Sequence, residues 1–160
     1  MNFRDLFRKW EISGIKLNTN FAEVEFKPTN DDEIAAWDMY VELLTRITTQ
    51  PLEDNDGDES SAFESIYKLF EITRNILKEK GKNAKEFTKV AIIVLNQVIR
   101  PFTAKWHKKS IAGAFGNSDD CVMFRTELKA LRSTLVQYTK LLADMAHVED
   151  LTEIDITQEE

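Results

Sequence analysis

CVMFRTELKALRSTLVQYTKLLADM, residues 121–145, decides the fold. Cys121, Phe124, Leu128, Leu131, Leu135, Tyr138, Leu142 and Met145 follow one another in alternating steps of three and four. A sustained period of 3.5 residues marks a helix whose apolar seam packs knobs-into-holes on neighbouring helices. Such a helix needs partners of its own kind, and the rest of the chain supplies them.

The helix before it opens at Asn83 and Glu86 and is almost wholly apolar from Val90 to Leu95, which makes it the central one. Pro101 lies inside its pattern and is expected to kink or end it. Gly113 and Gly116 then mark residues 112–117 as a loop. One element further back, Ser61 and Glu64 form a capping-box pair. The helix they open buries Phe63, Ile66, Phe70, Thr73 and Leu77, with Leu69, Ile72 and Ile76 widening the face, and ends at Gly81. The first long helix starts at Asn30-Asp31-Asp32, with acids beside its positive end. It carries Ile34, Trp37, Val41, Leu44 and Ile47 on one face and stops before Pro51. Phe3, Leu6, Phe7 and Trp10 form the stripe of a short N-terminal helix, broken near Gly14.

The β signal lies between these helices. Ile15 and Leu17 flank Lys16, Asn18-Thr19-Asn20 supplies turn residues, and Ala22, Val24 and Phe26 alternate with charges up to Pro28. This predicts a hairpin with strands near 14–18 and 21–27. An isolated hairpin is marginal in water, so it must lie on the helices or pair with a strand from elsewhere. The expected fold is mainly α: an antiparallel four-helix bundle with a short N-terminal helix and a β-hairpin. Residues 1–148 form a single domain, with the hairpin at about 14–27, and 149–160 form an acidic C-terminal tail.

At 160 residues, the chain is long enough to bury about 68–70% of its unfolded surface. Forty-two per cent apolar and 31% charged residues describe a globular protein. The single cysteine, Cys121, excludes an internal disulfide and a multi-cysteine zinc site; its seam position makes it a core residue before a nucleophile. The apolar run Val90–Leu95 is far short of the roughly 20 residues that span a membrane. No apolar signal core follows Met1-Asn2-Phe3-Arg4-Asp5, so the expected location is cytoplasmic. A net charge of −7 argues against whole-surface binding to nucleic acid or an anionic membrane. The charge is uneven, however. Residues 100–109 hold Arg100, Lys105, Lys108, Lys109 and His107 without an acid, whereas 149–160 hold six acids and no base.

Motifs for chemistry are scarce. Asp54-Asn55-Asp56-Gly57-Asp58 fails the EF-hand pattern in either register: glycine falls at position 4, or Leu52 and Phe63 fall at the first and last ligand positions. It reads as a solvated turn. His107 and His147 have no metal-ligand spacing to another histidine or to cysteine, so no metal and no cofactor are implied. His147 is placed to complement the negative end of the last helix. With five glycines, the chain has no phosphate-cradling loop, dinucleotide fingerprint or nucleophile elbow, and nothing argues for an enzyme.

The arginines carry the remaining signal. Arg46 and Arg74 sit at the edges of apolar faces, and Asn96, Arg100, Thr103 and His107 form one polar stripe at steps of 4, 3 and 4. The plain reading is a solvated stripe, with long arginine stems covering apolar surface. The functional reading is a partly buried cluster in which Arg100, His107 and Arg46 or Arg74 hold an anion or a partner's carboxylate, because the guanidinium fork binds either bidentately. A third reading has them gripping the acidic tail.

Ala36-Trp37-Asp38-Met39-Tyr40-Val41-Glu42-Leu43, with Thr45-Arg46-Ile47 and Gln50-Pro51-Leu52, resembles a recurring signature of uncharacterised bacterial helical proteins. Leu95-Asn96-Gln97-Val98-Ile99-Arg100-Pro101-Phe102, completed by Lys105-Trp106-His107, resembles a second block of the same proteins. The resemblance implies a bacterial source and transfers no catalytic residue. It groups Arg46, Arg100, Trp106 and His107 as one unit. The function expected first is a non-enzymatic interaction subunit of a bacterial multi-protein system, phage defence among them, acting by self-association or through a protein partner. The alternative is a sensor or binding module for a small anion or nucleotide. Its candidate residues are Arg46, Arg74, Asn96, Arg100, Lys105, Trp106 and His107.

Overall fold

Asp32 fixes where the first long helix begins. Its Oδ2 accepts from the backbone N–H of Thr29 at 2.7 Å, which closes the turn ahead of Asn30. Its Oδ1 reaches a different element and accepts from the buried N–H of Phe87 at 2.9 Å. One carboxylate thus satisfies donors at two helix starts, groups that would otherwise be orphaned. In the computed structural model, which describes residues 1–46, 50 and 58–154, the helices are α1 (Phe3–Lys9), α2 (Thr19–Ala22), α3 (Asn30–Leu44), α4 (Glu59–Tyr67), α5 (Leu69–Ile76), α6 (Lys85–Val94), α7 (Arg100–Ile111) and α8 (Ser118–Met145). Ile47, Pro51, the acidic turn through Gly57 and tail residues 155–160 lie outside the described residues.

The protein is mainly helical, and three of the expected starts move by a few residues. Thr29 rather than Asn30 caps α3, and Asp58 rather than Ser61 caps α4, accepting from the N–H of Ser61 at 2.8 Å. The helix expected from Asn83 begins at Lys85, with Ala84 at its cap and Asp32 supplying the missing acceptor.

Among the described residues no strand forms, and the hairpin expected at 14–27 is absent. Asn18 does not make a β-turn. Its side chain accepts from the N–H of Asn20 at 2.9 Å and nucleates α2 instead. Phe21 then turns onto Phe3, with ring centroids 4.6 Å apart. The two extended pieces find other partners. Phe26 donates to the Met1 carbonyl at 2.8 Å and Phe3 to the Val24 carbonyl at 3.1 Å, which gives a single bridge between Asn2 and Glu25. Lys16 is clamped by a side chain: its N–H donates to Gln97 Oε1 at 2.7 Å, and Gln97 Nε2 donates back to its carbonyl at 2.9 Å. A carboxamide presents an N–H donor beside a carbonyl acceptor, as a strand neighbour does, so it replaces the strand.

α4 and α5 run on into a π-helical turn, Leu77–Gly81, and a second π turn, Leu95–Ile99, joins α6 to α7. Pro101 therefore does not end its helix. It sits in the first turn of α7, directly after the wide turn, where a missing N–H is tolerated.

Side-chain pairs show how the long helices lie. Glu33 and His147 meet at opposite ends of α3 and α8, and Asp38 pairs with Lys80 while Met39 meets Thr73. Lys105 pairs with Glu127, and Lys109 lies 3.9 Å from Asp120. In the last two sets one residue number rises as the other falls, so α3 runs antiparallel to the α5 stretch and α7 runs antiparallel to α8, while the start of α3 meets the end of α8. The seam of α8 is buried from Phe124 to Met145, and only Cys121 is partly exposed. Trp106, Phe115 and Phe124 pack with centroids 5.0–6.1 Å apart, two of the three pairs edge to face.

α3 departs from its expected face. Ala35, Ala36, Met39, Tyr40 and Leu43 are buried, whereas Ile34, Trp37 and Val41 are 44%, 46% and 37% exposed. The buried face is rotated by one residue. The two alanines let neighbouring backbones approach, and Tyr40 is held by the tail: its hydroxyl donates to the Glu149 carbonyl at 3.3 Å and accepts from the Leu151 N–H at 2.8 Å. Lys140 holds Glu153 at 2.9 Å. No helix among the described residues is long and apolar enough to cross a membrane.

Candidate functional site

A groove of about 340 Å³ runs between the α4–α5 stretch and α7. One wall carries Tyr67, Phe70, Glu71 and Arg74, at i, i+3, i+4 and i+7, so these residues share a helix face. The other wall carries Arg100, Ala104 and His107, with Thr103 buried behind them. Tyr67 faces His107 with ring centroids 6.1 Å apart, and the Arg100 guanidinium lies 4.8 Å from the centre of the Phe70 ring. The walls are therefore antiparallel, and the groove has an aromatic end and a guanidinium end.

Arg100 is positioned but not neutralised. Its Nε and Nη2 both donate to Asn96 Oδ1 at 3.1 Å, one turn back on the same helical run. A guanidinium has five N–H donors, so three remain for a ligand. The Phe70 ring fixes the plane of the fork and leaves its charge intact. Across the groove, Arg74 is exposed and has no partner among the described residues. Lys68 adds a third cation, and Glu71 is the one acid on the lining. Against a chain of net charge −7, this is a local positive field over an aromatic floor.

Of the residues expected to act together, Arg74, Arg100 and His107 line this groove, and Asn96 orients Arg100. The polar stripe is corrected at Thr103, which is buried and donates its hydroxyl to the carbonyls of Arg100 at 3.1 Å and Ile99 at 3.3 Å. Arg46 lies elsewhere: near the end of α3 it is paired with Glu42, Nη2 to Oε2 at 3.0 Å. Lys105 and Trp106 face α8. The Trp106 ring is fully buried, and its Nε1 donates to Glu127 Oε2 at 2.7 Å while Lys105 pairs with the same carboxylate. Burial pushes the Glu127 carboxyl up, but the hydrogen bonds from Lys105 and Trp106 outweigh it and hold the group below the ordinary glutamate value. That triad joins two helices and leaves Lys105 no free charge for a ligand.

Among the described tail residues, Glu149 and Leu151 are held by Tyr40 and Glu153 by Lys140, and none forms an ion pair with Arg46, Arg74 or Arg100. Cys121 is partly buried, with its Sγ 3.4 Å from the Phe115 carbonyl; burial and the nearby Glu59 carboxylate push its thiol up, away from the thiolate a nucleophile needs. Among the described residues no three His, Cys, Asp or Glu side chains gather as metal ligands.

Tyr67, Phe70 and Glu71 were not singled out as site residues by their sequence pattern. Their signal was available: two aromatics, an acid and an arginine on one helical face, beside which a second basic helix has to pack. Set against models of protein families, curated proteins and solved structures, the chain matches none of them.

Proposed function

We propose that this protein is a non-enzymatic binding module for a small anion, held in the groove by Arg74 and Arg100. The observation that carries this reading is an exposed pair of guanidinium groups on facing helices, neither of which pairs with a carboxylate among the described residues. Guanidinium forks bind carboxylate or phosphate bidentately. The pairwise antiparallel contacts of α3, α5, α7 and α8 support the reading of the four long helices as a bundle, a rigid frame for such a site.

The test is calorimetric titration of the intact chain with inorganic phosphate and with pyrophosphate at low salt. Binding is expected, and at a ligand concentration of about 100 Kd it raises stability by roughly 2.7 kcal/mol. Arg100→Ala and Arg74→Ala abolish both effects without lowering the melting temperature of the free protein, whereas Lys105→Ala leaves the affinity unchanged. No binding of either anion at millimolar concentration defeats the reading.

A second reading, an interaction subunit of a bacterial multi-protein system, is favoured by one observation: the Ile34, Trp37 and Val41 stripe on α3 is apolar and uncovered. The other grounds for that role have weakened, because there is no hairpin edge to accept a strand and the seam of α8 is used up inside the fold. Light scattering tests the self-association form. A concentration-dependent dimer abolished by Trp37→Lys supports it, and a strict monomer removes it.

A further inference from the structure

The order of groups along the groove says more about the ligand than its charge does. Tyr67 and Arg74 are seven residues apart on nearly continuous helix, a span of roughly 10 Å at about 1.5 Å per residue. Inorganic phosphate would fill only the guanidinium end. The other end is built for a flat ring: Tyr67 is 50% exposed, yet it is braced by Phe63 at 5.9 Å, Phe70 at 5.6 Å and His107 at 6.1 Å, so its open face is a fixed platform. A ring cannot enter between Tyr67 and His107 at that spacing, so it stacks on the outer face. On the Tyr67 wall Glu71 comes one turn beyond Tyr67 and three residues before Arg74, next to the Phe70 ring on which Arg100 rests, and it has no ion pair to another described residue. A carboxylate is a poor neighbour for phosphate but a good acceptor for a pair of sugar hydroxyls.

Aromatic platform, carboxylate and guanidinium follow in that order on one wall, as Tyr67, Glu71 and Arg74, with Arg100 entering from the facing wall over Phe70, and they match base, ribose and phosphate. Resting on the anion-binding reading above, the geometry points to a ribonucleoside phosphate as the ligand: base on Tyr67, ribose hydroxyls donating to Glu71, and phosphate across Arg100 and Arg74. With the base on the outer face of Tyr67, the groove of about 340 Å³ has the sugar and phosphate of one nucleotide to hold. Further along α7 Lys105 is paired with Glu127 and Lys109 is turned toward Asp120, so Lys108 alone of these lysines is without an ion pair among the described residues, too little for a strand to track. Binding involves no covalent step.

Calorimetric titration of the intact chain with AMP, UMP, dAMP and inorganic phosphate tests this. AMP or UMP is expected to bind at least tenfold more tightly than phosphate, and dAMP more weakly than AMP. Tyr67→Ala is expected to cost the nucleotide about tenfold, the usual loss for one stacked base, and to leave phosphate affinity unchanged. Glu71→Ala removes the preference for AMP over dAMP. Tyr67→Leu, which keeps apolar bulk but no π face, gives the same nucleotide loss and guards against misfolding of the alanine variant. If phosphate binds through Arg74 and Arg100 but neither nucleotide exceeds it, the nucleotide assignment is overturned while the anion reading stands. If AMP and dAMP bind equally, the role of Glu71 is overturned. If neither phosphate nor nucleotide binds, both readings fall together.

Discussion

Asp32→Ala is the substitution that most directly probes how this fold is held. The carboxylate is 1% exposed and accepts three hydrogen bonds: from the Thr29 N–H at 2.7 Å, the Thr29 hydroxyl at 3.1 Å and the Phe87 N–H at 2.9 Å. Removing it takes away the Asp32 half of the α3 capping box, the acceptor for the Thr29 N–H and hydroxyl, at about 1 kcal/mol. It also strands the Phe87 N–H in the interior, where an unmet donor costs about 1–3 kcal/mol. The sum is about 3 kcal/mol, which for a chain of this length lowers the melting temperature by roughly 6–12 °C. Asp32→Asn keeps one acceptor oxygen but turns an NH₂ group toward a second N–H donor. It should fall about halfway, near 1.5 kcal/mol. Urea unfolding with both variants at neutral pH measures this directly. If alanine costs under 1 kcal/mol, the carboxylate does not join the two helix starts as described, and the account of α6 beginning without its own cap is wrong.

Other consequences are checked more briefly. Tyr40→Phe removes the hydroxyl shared by Glu149 and Leu151; it should cost about 1 kcal/mol and speed amide exchange at Leu151, with exchange in α3 unchanged. Gly81→Ala puts a Cβ 2.8 Å from Thr88 Oγ1, whose hydroxyl is engaged by the carbonyls of Gly81 and Ala84; a loss of about 1–2 kcal/mol is expected, part of it recovered in a Thr88→Ala background. The Arg125 hydrogen bond at 2.8 Å holds the Glu59 carboxyl below its ordinary value despite the opposing effect of burial. The pair's contribution is then fully present above the ordinary glutamate value of about 4.3 and is lost as pH falls through the folded value, so Glu59→Gln should flatten the acid side of a melting-temperature profile below about pH 4. An unchanged slope would refute the pairing.

The helices were legible because their signal is redundant. Seven of the eight seam positions of α8 are buried, since a 28-residue helix repeats the same step often enough that no single residue decides it. The hairpin had no such redundancy. Two short alternations are equally consistent with pairing to each other or to anything else nearby, and here the N-terminus and the Gln97 carboxamide took their place. The face of α3 was misplaced by a bias toward bulk. Ile34, Trp37 and Val41 are its largest apolar residues on one line, but close helix approach selects Ala35 and Ala36, whose small size carries no weight in a pattern of large side chains.

The groove was half legible, and the reason lies in the π turn. Before it, the buried residues Phe87, Val90 and Val94 step by three and four; after it, Ile99, Phe102 and Trp106 do the same, but the step from Val94 to Ile99 is five. One residue has been inserted, and the buried face is carried round by about 100°. Had the regular period continued from Val94, positions 98, 101 and 105 would point inward. Lys105 would be buried and Trp106 swung out of the aromatic cluster. The wide turn also lets Pro101 pass without breaking the helix, so the features that look like a helix end are what set the register of α7. In that register Trp106 enters the core and pairs with Glu127, Thr103 turns its hydroxyl back on the chain, and Arg100 and His107 are left on the side facing Tyr67 and Arg74. A reading based on an unbroken period can find the stripe of Asn96, Arg100 and His107, but not the wall it faces. That wall depends on where one extra residue is absorbed, which the long-range packing of α7 against α4, α5 and α8 decides.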